Sequence, residues 1–285
     1  MAVDIKRIPP AQFPSRLTEI ADPPTELYLQ GSLPPEEHKW LAVVGSRKCT
    51  AYGREVTEML VKGLSGFPVV IVSGLALGID TLAHKSALAA RVPTVAVPGS
   101  GLDRSVLHPP TNRRLAEEIL AAGGALLSEF PPKFPASLWG FPRRNRIMAG
   151  LSDAVLIIEA EERSGTLITS RLATDYNRDV LTVPGSVFST HTAGPHMLIR
   201  LGATPITSPA DLLQALGLKT NEQTARDYSL CTKEEQEIVT RLASPLSREE
   251  LLEGLPFSTG QTNALLSAME LKGLIKESAG EIHLA

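Results

Sequence analysis

Six unbroken apolar runs constrain the fold of this chain more than any other feature. They lie at residues 41–44, 69–72, 94–97, 125–127, 154–158 and 180–183. Strands buried on both faces have such runs, and they usually lie in parallel sheets. Amphipathic stretches of helical length separate several of them, at residues 53–64, 80–90 and 113–122. The alternation predicts an α/β fold: a Rossmann-like, doubly wound, mainly parallel sheet with helices on both faces.

The chain divides into four segments of different composition. Its 285 residues allow one large domain or two unequal ones. Residues 1–40 are rich in proline and are predicted to be mostly irregular, with one strand at residues 27–30. Residues 41–216 hold the strand–helix alternation, residues 217–231 are polar and predict a linker, and residues 232–285 predict a small helical domain.

Charge and cysteine content exclude several classes of protein. The net charge of −3 excludes a basic nucleic-acid coat, so any nucleic-acid site must be a local patch. Cys49 and Cys231 are far apart, which excludes a disulfide framework and a cysteine-built zinc site and favours a reducing cytosol. No apolar run approaches the ~18 residues that span a bilayer, and the N-terminus has no apolar signal core. We therefore expect a cytoplasmic protein without a membrane partner.

Two common nucleotide-binding motifs and the usual histidine spacing of a metal site are missing from the sequence. There is no phosphate-binding P-loop, and the string GSGLDR at residues 99–104 lacks the third glycine of a dinucleotide-binding turn. The histidines show no metal-ligand spacing. Asp80 and His84 are four residues apart on a predicted helix, where helix capping and a local contact explain them better than acid–base catalysis. We expect no cofactor, no metal and no catalytic residue.

Small residues follow nearly every predicted strand. Because the carboxyl ends of parallel strands share one edge of a sheet, these turns are expected to line a single ligand-binding edge. Glycine lets backbone N–H groups approach an anion, and helix N-termini add positive dipole ends. Each turn alone is better explained as a cap or tight turn, but together they favour an anion-binding surface. The candidate residues in these turns are Gly45, Ser46, Arg47, Ser73, Gly74, Ser164, Gly165 and Thr166.

A basic segment with interleaved aromatic residues supports the same interpretation. Residues 133–146 read KFPASLWGFPRRNR and contain no acid. Single-stranded nucleic-acid sites typically combine cationic side chains that contact the phosphates with aromatic rings that stack on the bases. Two alternatives stay open: Trp139 anchors the segment to the core, and some arginines pair with Glu129 or Glu159. The predicted DNA-binding residues here are Lys133, Phe141, Arg143, Arg144, Asn145 and Arg146.

The order of these motifs resembles the DNA-processing protein A family (DprA, also called Smf). The strings that carry the resemblance are VGSR at 44–47, SGLALGID at 73–80, LSEFP at 127–131, FPRRNRIMAGLS at 141–152, SGT at 164–166 and VPG at 183–185. The resemblance implies a Rossmann-like domain that binds single-stranded DNA, protects incoming DNA in natural transformation and loads RecA. It also implies a homodimer formed through this domain. The family's DNA pocket maps onto residues 45–47, 141–146 and 164–166.

Residues 232–285 resemble the family's winged-helix (DML1-like) domain. Three helices are predicted at 232–242, 247–252 and 258–272, followed by a wing around Gly280. A winged helix typically binds duplex DNA. This segment, however, has five Lys or Arg against nine Glu, a net charge of −4. Since a net-negative module binds phosphates weakly, we expect a protein-interaction or regulatory role, with duplex binding as the second choice.

Two other function classes remain as alternatives. A related group of nucleotide phosphoribohydrolases uses a similar sheet and a P-G-G-x-G-T-x-x-E motif, whose acid assists N-glycosidic cleavage. Here Thr166 is followed by Leu167, Ile168 and Thr169, so the stabilising carboxylate is missing. A nucleotide-sensing module on the same sheet is the third possibility. The favoured interpretation is a non-enzymatic single-strand binder.

Overall fold

The structure is a computed structural model that describes residues 4–162, 164–219, 231–242, 244–278 and 280–284. The chain forms two compact units, residues 1–219 and residues 220–285. Most of the predicted linker at 217–231 lies outside the described residues. The two units are described separately below.

A nine-stranded sheet forms the centre of the first unit. Its strands are β1 (Lys6–Ile8), β2 (Leu27–Gly31), β3 (Lys39–Val44), β4 (Val69–Ser73), β5 (Thr94–Ala96), β6 (Ala125–Ser128), β7 (Ala154–Ile157), β8 (Asp179–Thr182) and β9 (Thr204–Pro205). Their order is β1-β2-β6-β5-β4-β3-β7-β8-β9. All neighbours from β6 to β9 pair parallel, whereas β2 pairs antiparallel with both β1 and β6. The predicted mainly parallel α/β sheet is confirmed. Each predicted run coincides with a strand, and the ends of the two differ by at most two residues.

Helices cover both faces of this sheet. They are α1 (Ser15–Thr18), α2 (Ala51–Lys62), α3 (Ile79–Ala89), α4 (Arg113–Ala121), α5 (Gly140–Leu151), α6 (Thr166–Asp175), α7 (Ala193–Arg200) and α8 (Pro209–Ala215). Successive residues of the central strand β3 point to opposite faces. Ala42 and Val44 pack in the cluster that contains Ile147 of α5. Leu41 and Val43 pack in the cluster that contains Leu60 of α2. Burial on both faces explains the unbroken apolar runs.

The N-terminal segment is more regular than its composition predicts. It contributes β1, which the sequence did not predict, and β2, which pairs with β6 at the edge of the parallel sheet. The side chain of Arg16 also joins this segment to the sheet, through an ion pair with Asp153 at 3.2 Å. The strand predicted at residues 27–30 is confirmed as β2, whereas the prediction of an otherwise mostly irregular segment is wrong at β1. A three-residue strand such as β1, directly before Pro9 and Pro10, is too short for periodicity to reveal it.

The second unit contains three helices and a small antiparallel sheet. The elements are α9 (Lys233–Arg241), β10 (Leu246–Ser247), α10 (Arg248–Gly254), α11 (Thr259–Leu271), β11 (Ile275–Ser278) and β12 (Glu281–Leu284), with strand order β10-β12-β11. Each helix starts with a capping box, formed by Thr232, Ser247 and Ser258 with the acid or amide three residues on. Leu251 and Leu266 are buried in the core between the helices. The arrangement is compatible with the predicted winged helix.

Within the described part of the chain, no helix combines the length and the apolar character needed to cross a bilayer.

Candidate nucleic-acid interface

The main candidate site lies where the strand order reverses. From β3 the chain proceeds to β4 on one side, and β7 returns to pair with β3 on the other. Open α/β sheets bind ligands at the carboxyl ends of strands at such a switch point. A pocket of about 370 Å³ opens there, at the edge we call the carboxyl edge. Eight predicted residues line the pocket: Gly45, Arg47, Phe141, Arg144, Asn145, Ser164, Gly165 and Thr166.

One face of α5 forms a wall of the pocket. Besides Pro142, the residues of this helix that line the pocket are Phe141, Arg144, Asn145 and Met148. Their spacing is i, i+3, i+4 and i+7, which places them on one side of an α-helix. Pro142 lies in the first turn of α5, where its missing N–H is no loss because that donor has no partner within the helix.

Arg47 and Phe141 form the exposed part of the pocket. The Arg47 guanidinium carbon lies 5.2 Å from the centre of the Phe141 ring, within cation–π range. Arg47 is exposed and has no ion pair within the described residues. The Phe141 ring lies against the backbone of Gly99, and a Cβ there would fall 2.5 Å from its Cδ1. A free cation and a half-buried ring thus face the same space.

Arg144 forms the floor of the pocket. It is buried, and its guanidinium donates to the carbonyls of Gly74 and Val97, while its Nε donates to Asn145 Oδ1 at 3.2 Å. The guanidinium occupies the space where a Cβ of residue 74 would begin, so only glycine fits at that position. Burial lowers the pKa of Arg144 to about 10, so it remains a cation at neutral pH. Its charge is directed at the pocket from below, but its hydrogen bonds are used by the protein.

Asp80, which also lines the pocket, and His84, which does not, are buried and have structural partners. The Asp80 carboxylate accepts from the backbone N–H groups of Gly74 and Ala76, at 3.1 and 3.3 Å. The N-cap of α3 is Gly78, so the predicted capping by Asp80 is wrong. Burial raises the pKa of Asp80, and the positive charge of Arg144 opposes that shift.

His84 makes no contact with Asp80 of the kind predicted. Its Nδ1 lies 2.8 Å from the Thr94 hydroxyl, which itself donates to the Ile71 carbonyl. Since that hydroxyl uses its proton on Ile71, His84 Nδ1 is the donor. Burial lowers the pKa of His84 to about 3, so the ring is neutral at physiological pH.

The start of α6 forms the opposite wall. Ser164 and Gly165 precede the helix and Thr166 is its first residue. The Thr166 hydroxyl donates to the Gly45 carbonyl at 3.3 Å, and the Asn145 amide reaches the Gly165 carbonyl at 3.5 Å. These contacts join the turns after β3 and β7 to α5. The positive end of the α6 dipole therefore opens on the pocket, as an anion site requires.

Arg143 and Arg146 are on the side of α5 that faces away from the pocket. Arg146 is buried, pairs with Glu129 and reaches Asp22, whose Oδ2 lies 3.4 Å from its Nε. Arg143 pairs with the same Glu129 at 3.1 Å and is half-exposed. The sequence left this pairing open as an alternative, and the structure contains it. The prediction that all three arginines point to one anion site is corrected: Arg144 alone lines the pocket.

Four further predicted residues do not line the pocket. The Ser73 hydroxyl is buried and donates to the Val43 carbonyl at 2.7 Å, and Gly74 holds Arg144 and Asp80 through its backbone. The Ser46 hydroxyl accepts from the backbone N–H of Lys48 at 3.1 Å. Lys133 is exposed and lies outside the lining. Trp139 packs edge-on against Phe130 and Phe134 but is 54% exposed, so it contacts these rings without being part of the core.

Three apolar residues at the carboxyl edge were missed by sequence reasoning. Leu138 and Ile168 line the pocket although both are exposed. Phe188 follows β8 and is 96% exposed, beside a turn that Tyr52 fixes through a hydrogen bond to the Pro184 carbonyl. Phe188 lies in the turn region after β8, and a large apolar residue there is a signal that could have revealed it, whereas Leu138 precedes α5 and Ile168 lies in the first turn of α6. No group of three potential metal ligands occurs in the described ranges.

Comparison with known proteins identifies the family. The model of the family "DNA recombination-mediator protein A" matches residues 6–217. The chain belongs to this family. Protein Smf from Escherichia coli is 43% identical over 204 residues, a match that covers 72% of this chain and 54% of that protein. This member of the family therefore matches about half the length of that relative.

Two solved structures of the family resemble the first unit. DNA processing protein A from Streptococcus pneumoniae is 40% identical, with a TM-score of 0.69 and coverage of 74% of each chain. The Helicobacter pylori protein is 29% identical, with a TM-score of 0.67 and coverage of 76% of this chain and 98% of that one. The Helicobacter pylori protein is described as having a unique single-stranded DNA binding mode.

Proposed function

We propose that this protein binds single-stranded DNA in the pocket at the carboxyl edge. In the proposed role it protects incoming DNA during natural transformation and loads RecA onto it, without catalysing a reaction itself. The observation that carries the proposal is the pairing of Arg47 with Phe141: an exposed cation that has no ion pair among the described residues lies next to a half-buried ring. Phosphate neutralisation and base stacking are the two interactions that single-strand binders combine.

Three further features support a site for a phosphodiester. The positive end of the α6 dipole opens on the pocket, and buried Arg144 adds a cation beneath it. Leu138 and Ile168 provide exposed apolar surface for a base. The single-strand binding named for the Helicobacter pylori relative agrees with this chemistry.

The partners beyond DNA rest on family resemblance. The expected partners of a family member are RecA, which it loads, and a second copy of the chain, bound through the first unit. Both partners are part of the proposal. Analytical ultracentrifugation tests the dimer. RecA assembly on strands already covered by single-strand-binding protein, with and without this protein, tests the loading step.

The alternative of a phosphoribohydrolase has less support. The pocket contains one carboxylate, Asp80, and two backbone N–H groups already hold it. An acid that stabilises developing positive charge on a sugar must face the substrate. Residues 167–169 supply none.

Fluorescence anisotropy of labelled oligonucleotides tests the proposed function. We expect salt-sensitive binding of a single strand in preference to a duplex of equal length. Arg47→Ala is expected to weaken that binding about tenfold and to reduce the slope of log K against log salt by ~0.7, the value for one lost phosphate contact. Arg114→Ala, which removes an exposed arginine on α4, is the matched control. Equal affinity for single and double strands, or binding of mononucleotides alone, would contradict the proposal.

A further inference from the structure

A second groove runs between α2 and α3, on the face of the sheet opposite α5. Its volume is about 740 Å³. It is lined along α2 by residues 54, 58 and 62 and along α3 by residues 82, 85, 86 and 89. Both helices follow parallel neighbouring strands, so both start at the carboxyl edge and run towards the opposite edge. The hydrogen bond from the Ser65 hydroxyl to the Ala90 carbonyl, 3.0 Å, joins their far ends.

The groove concentrates positive charge on a chain whose net charge is negative. Arg54, Lys62, Lys85 and Arg91 line it, and Glu58 is the single acid among the lining residues. All four cations are exposed. No acid among the described residues lies within ion-pair distance of any of them. Some exposed cations elsewhere, such as Arg104 and Arg114, have acidic partners and others, such as Arg200, have none in the described part of the chain, so it is the clustering of four unpaired cations in one groove that distinguishes this surface.

The backbone at Arg91 gives a second, independent indication. Helix α3 ends in a Schellman motif, in which Val92 N–H donates to the Ala87 carbonyl and Arg91 N–H donates to the Leu88 carbonyl. The central residue of this motif needs a left-handed backbone, and Arg91 has φ +57°. Glycine, or less often asparagine, is favoured there because a side chain adds steric cost.

The other helices that end in this motif follow the rule. The residues at the same position after α4, α6, α7, α8 and α11 are Gly123, Asn177, Gly202, Gly217 and Gly273. Arg91 is the exception among the described residues, and its side chain lies in the basic groove. Strained residues of this kind cluster at functional sites, where the side chain compensates for the backbone cost.

We propose that the α2–α3 groove binds the phosphodiester backbone of the single strand beyond the nucleotides held in the pocket. This inference rests on the proposed function and extends the site to a second face of the first unit. The groove starts close to the pocket, since Asp80 of the pocket and Leu82 of the groove are in the same turn of α3. Arg54 and Lys62 are eight residues apart, about 12 Å along the helix. A strand that follows the groove therefore meets successive cations.

Oligonucleotide length separates the groove from the pocket in an experiment. Anisotropy is measured with single strands of about 6 and about 25 nucleotides. Single-strand-binding folds cover ~4–16 nucleotides, so the first length is near the lower limit of such a site and the second exceeds the upper limit. The variants are Arg54→Ala/Lys85→Ala and Arg91→Gly. The control is Arg200→Ala, which removes an exposed cation at the end of α7.

We expect the groove variants to bind the short strand like wild type. The double variant is expected to bind the long strand about tenfold more weakly, with a salt slope reduced by ~1.4, because two contacts of ~0.7 each are lost. Arg91→Gly is expected to weaken long-strand binding severalfold while its Tm rises or stays constant, because glycine relieves the left-handed backbone. The opposite response of binding and stability would not follow from a purely structural role.

Two results would overturn the inference in distinguishable ways. If wild type binds both strands and the groove variants keep wild-type affinity and salt slope on the long one, the groove does not bind DNA while the pocket assignment stands. If wild type binds neither strand, the proposed function fails and the groove proposal fails with it. A loss equal to that of Arg200→Ala would show a general charge effect and would also contradict the proposal.

Discussion

The two sides of α5 use the same residue type for opposite purposes. On one side, Arg144 lies beneath the pocket that Phe141 and Arg47 leave open to solvent. On the other side, Arg143 and Arg146 converge on Glu129, away from the pocket. Residues 143–146 read RRNR, and a quarter turn of helix decides which arginine meets an acid. A run of cations therefore does not identify an anion site until the faces of its helix are known.

The difference also separates stability from binding. The Glu129 side is a buried ion pair, whose loss leaves an uncompensated charge. On the pocket side, Arg47 has no ion pair among the described residues, and the Phe141 ring that it contacts is half-buried, so both keep a surface that a ligand can reach. Substitutions on the two sides should therefore affect different measurements.

The largest expected effect is on the Glu129 side. Arg146→Ala is expected to lower the free energy of unfolding by about 3–5 kcal/mol, because the buried Glu129 side chain then loses its buried partner and keeps only the half-exposed Arg143. Urea denaturation measures it. Arg104→Ala breaks the exposed pair with Glu117 and should cost less than ~1 kcal/mol. Equal losses in the two variants would show that burial of the Glu129 pair does not matter.

On the pocket side, Phe141→Ala should reduce the affinity for single-stranded DNA by about 1–3 kcal/mol, because a stacking surface is lost. Its effect on stability should be smaller than that of Arg146→Ala. Phe67→Ala, which truncates a partly buried ring of the α2 side of the core, is the control and should leave affinity unchanged. If Phe141→Ala unfolds the protein while the folded fraction binds normally, the ring belongs to the core.

Acid should lower the free energy of unfolding through His84. The folded pKa of His84 is about 3 against 6.5 when exposed, so the unfolded chain takes up the proton first as pH falls. This group therefore destabilises the fold progressively below pH 6.5, by about 2 kcal/mol at pH 5. His84→Asn places an amide nitrogen near the position of Nδ1 and so keeps a donor for Thr94 without a proton to gain. The pH dependence of urea unfolding should be shallower in the variant; parallel curves would contradict the assignment.

The smallest effect is expected at Arg143. Its side chain is half-exposed in the pair with Glu129, and Arg146 still satisfies that acid after Arg143→Ala. The free energy of unfolding should fall by less than ~1 kcal/mol, and single-strand affinity should match wild type. An affinity loss as large as that of Arg47→Ala would place Arg143 on the DNA and remove the distinction between the two sides.

The sequence predicts the sheet better than it predicts the site. Burial on both faces leaves a direct record in the strands, because every residue of such a run must be apolar. Helix α5 has no comparable apolar pattern. Its first turn contains Gly140 and Pro142, and its buried residues include Arg144 and Arg146. Because the sequence does not show that this segment is a helix, it does not show which arginines face the pocket and which face Glu129.

Other parts of the site depend on distance across the fold. The packing of Phe141 on Gly99 and the bonds from Arg144 to Gly74 and Val97 join segments that are 42 to 70 residues apart. The sequence names the glycine-rich turns but not the side chain that each one accommodates. Leu138 and Ile168 were missed because one precedes α5 and the other lies in the first turn of α6, where no apolar periodicity shows which way a side chain faces.

The close fit of Arg144 over Gly74 limits how this sequence can change over time. Any side chain at position 74 collides with the guanidinium, so position 74 cannot accept even alanine while the arginine remains. The arginine would have to be replaced first, and that step leaves the carbonyls of Gly74 and Val97 without their donor. Each route between the two allowed states passes through a less stable protein. The two positions should therefore covary among descendants of this sequence, with few intermediates.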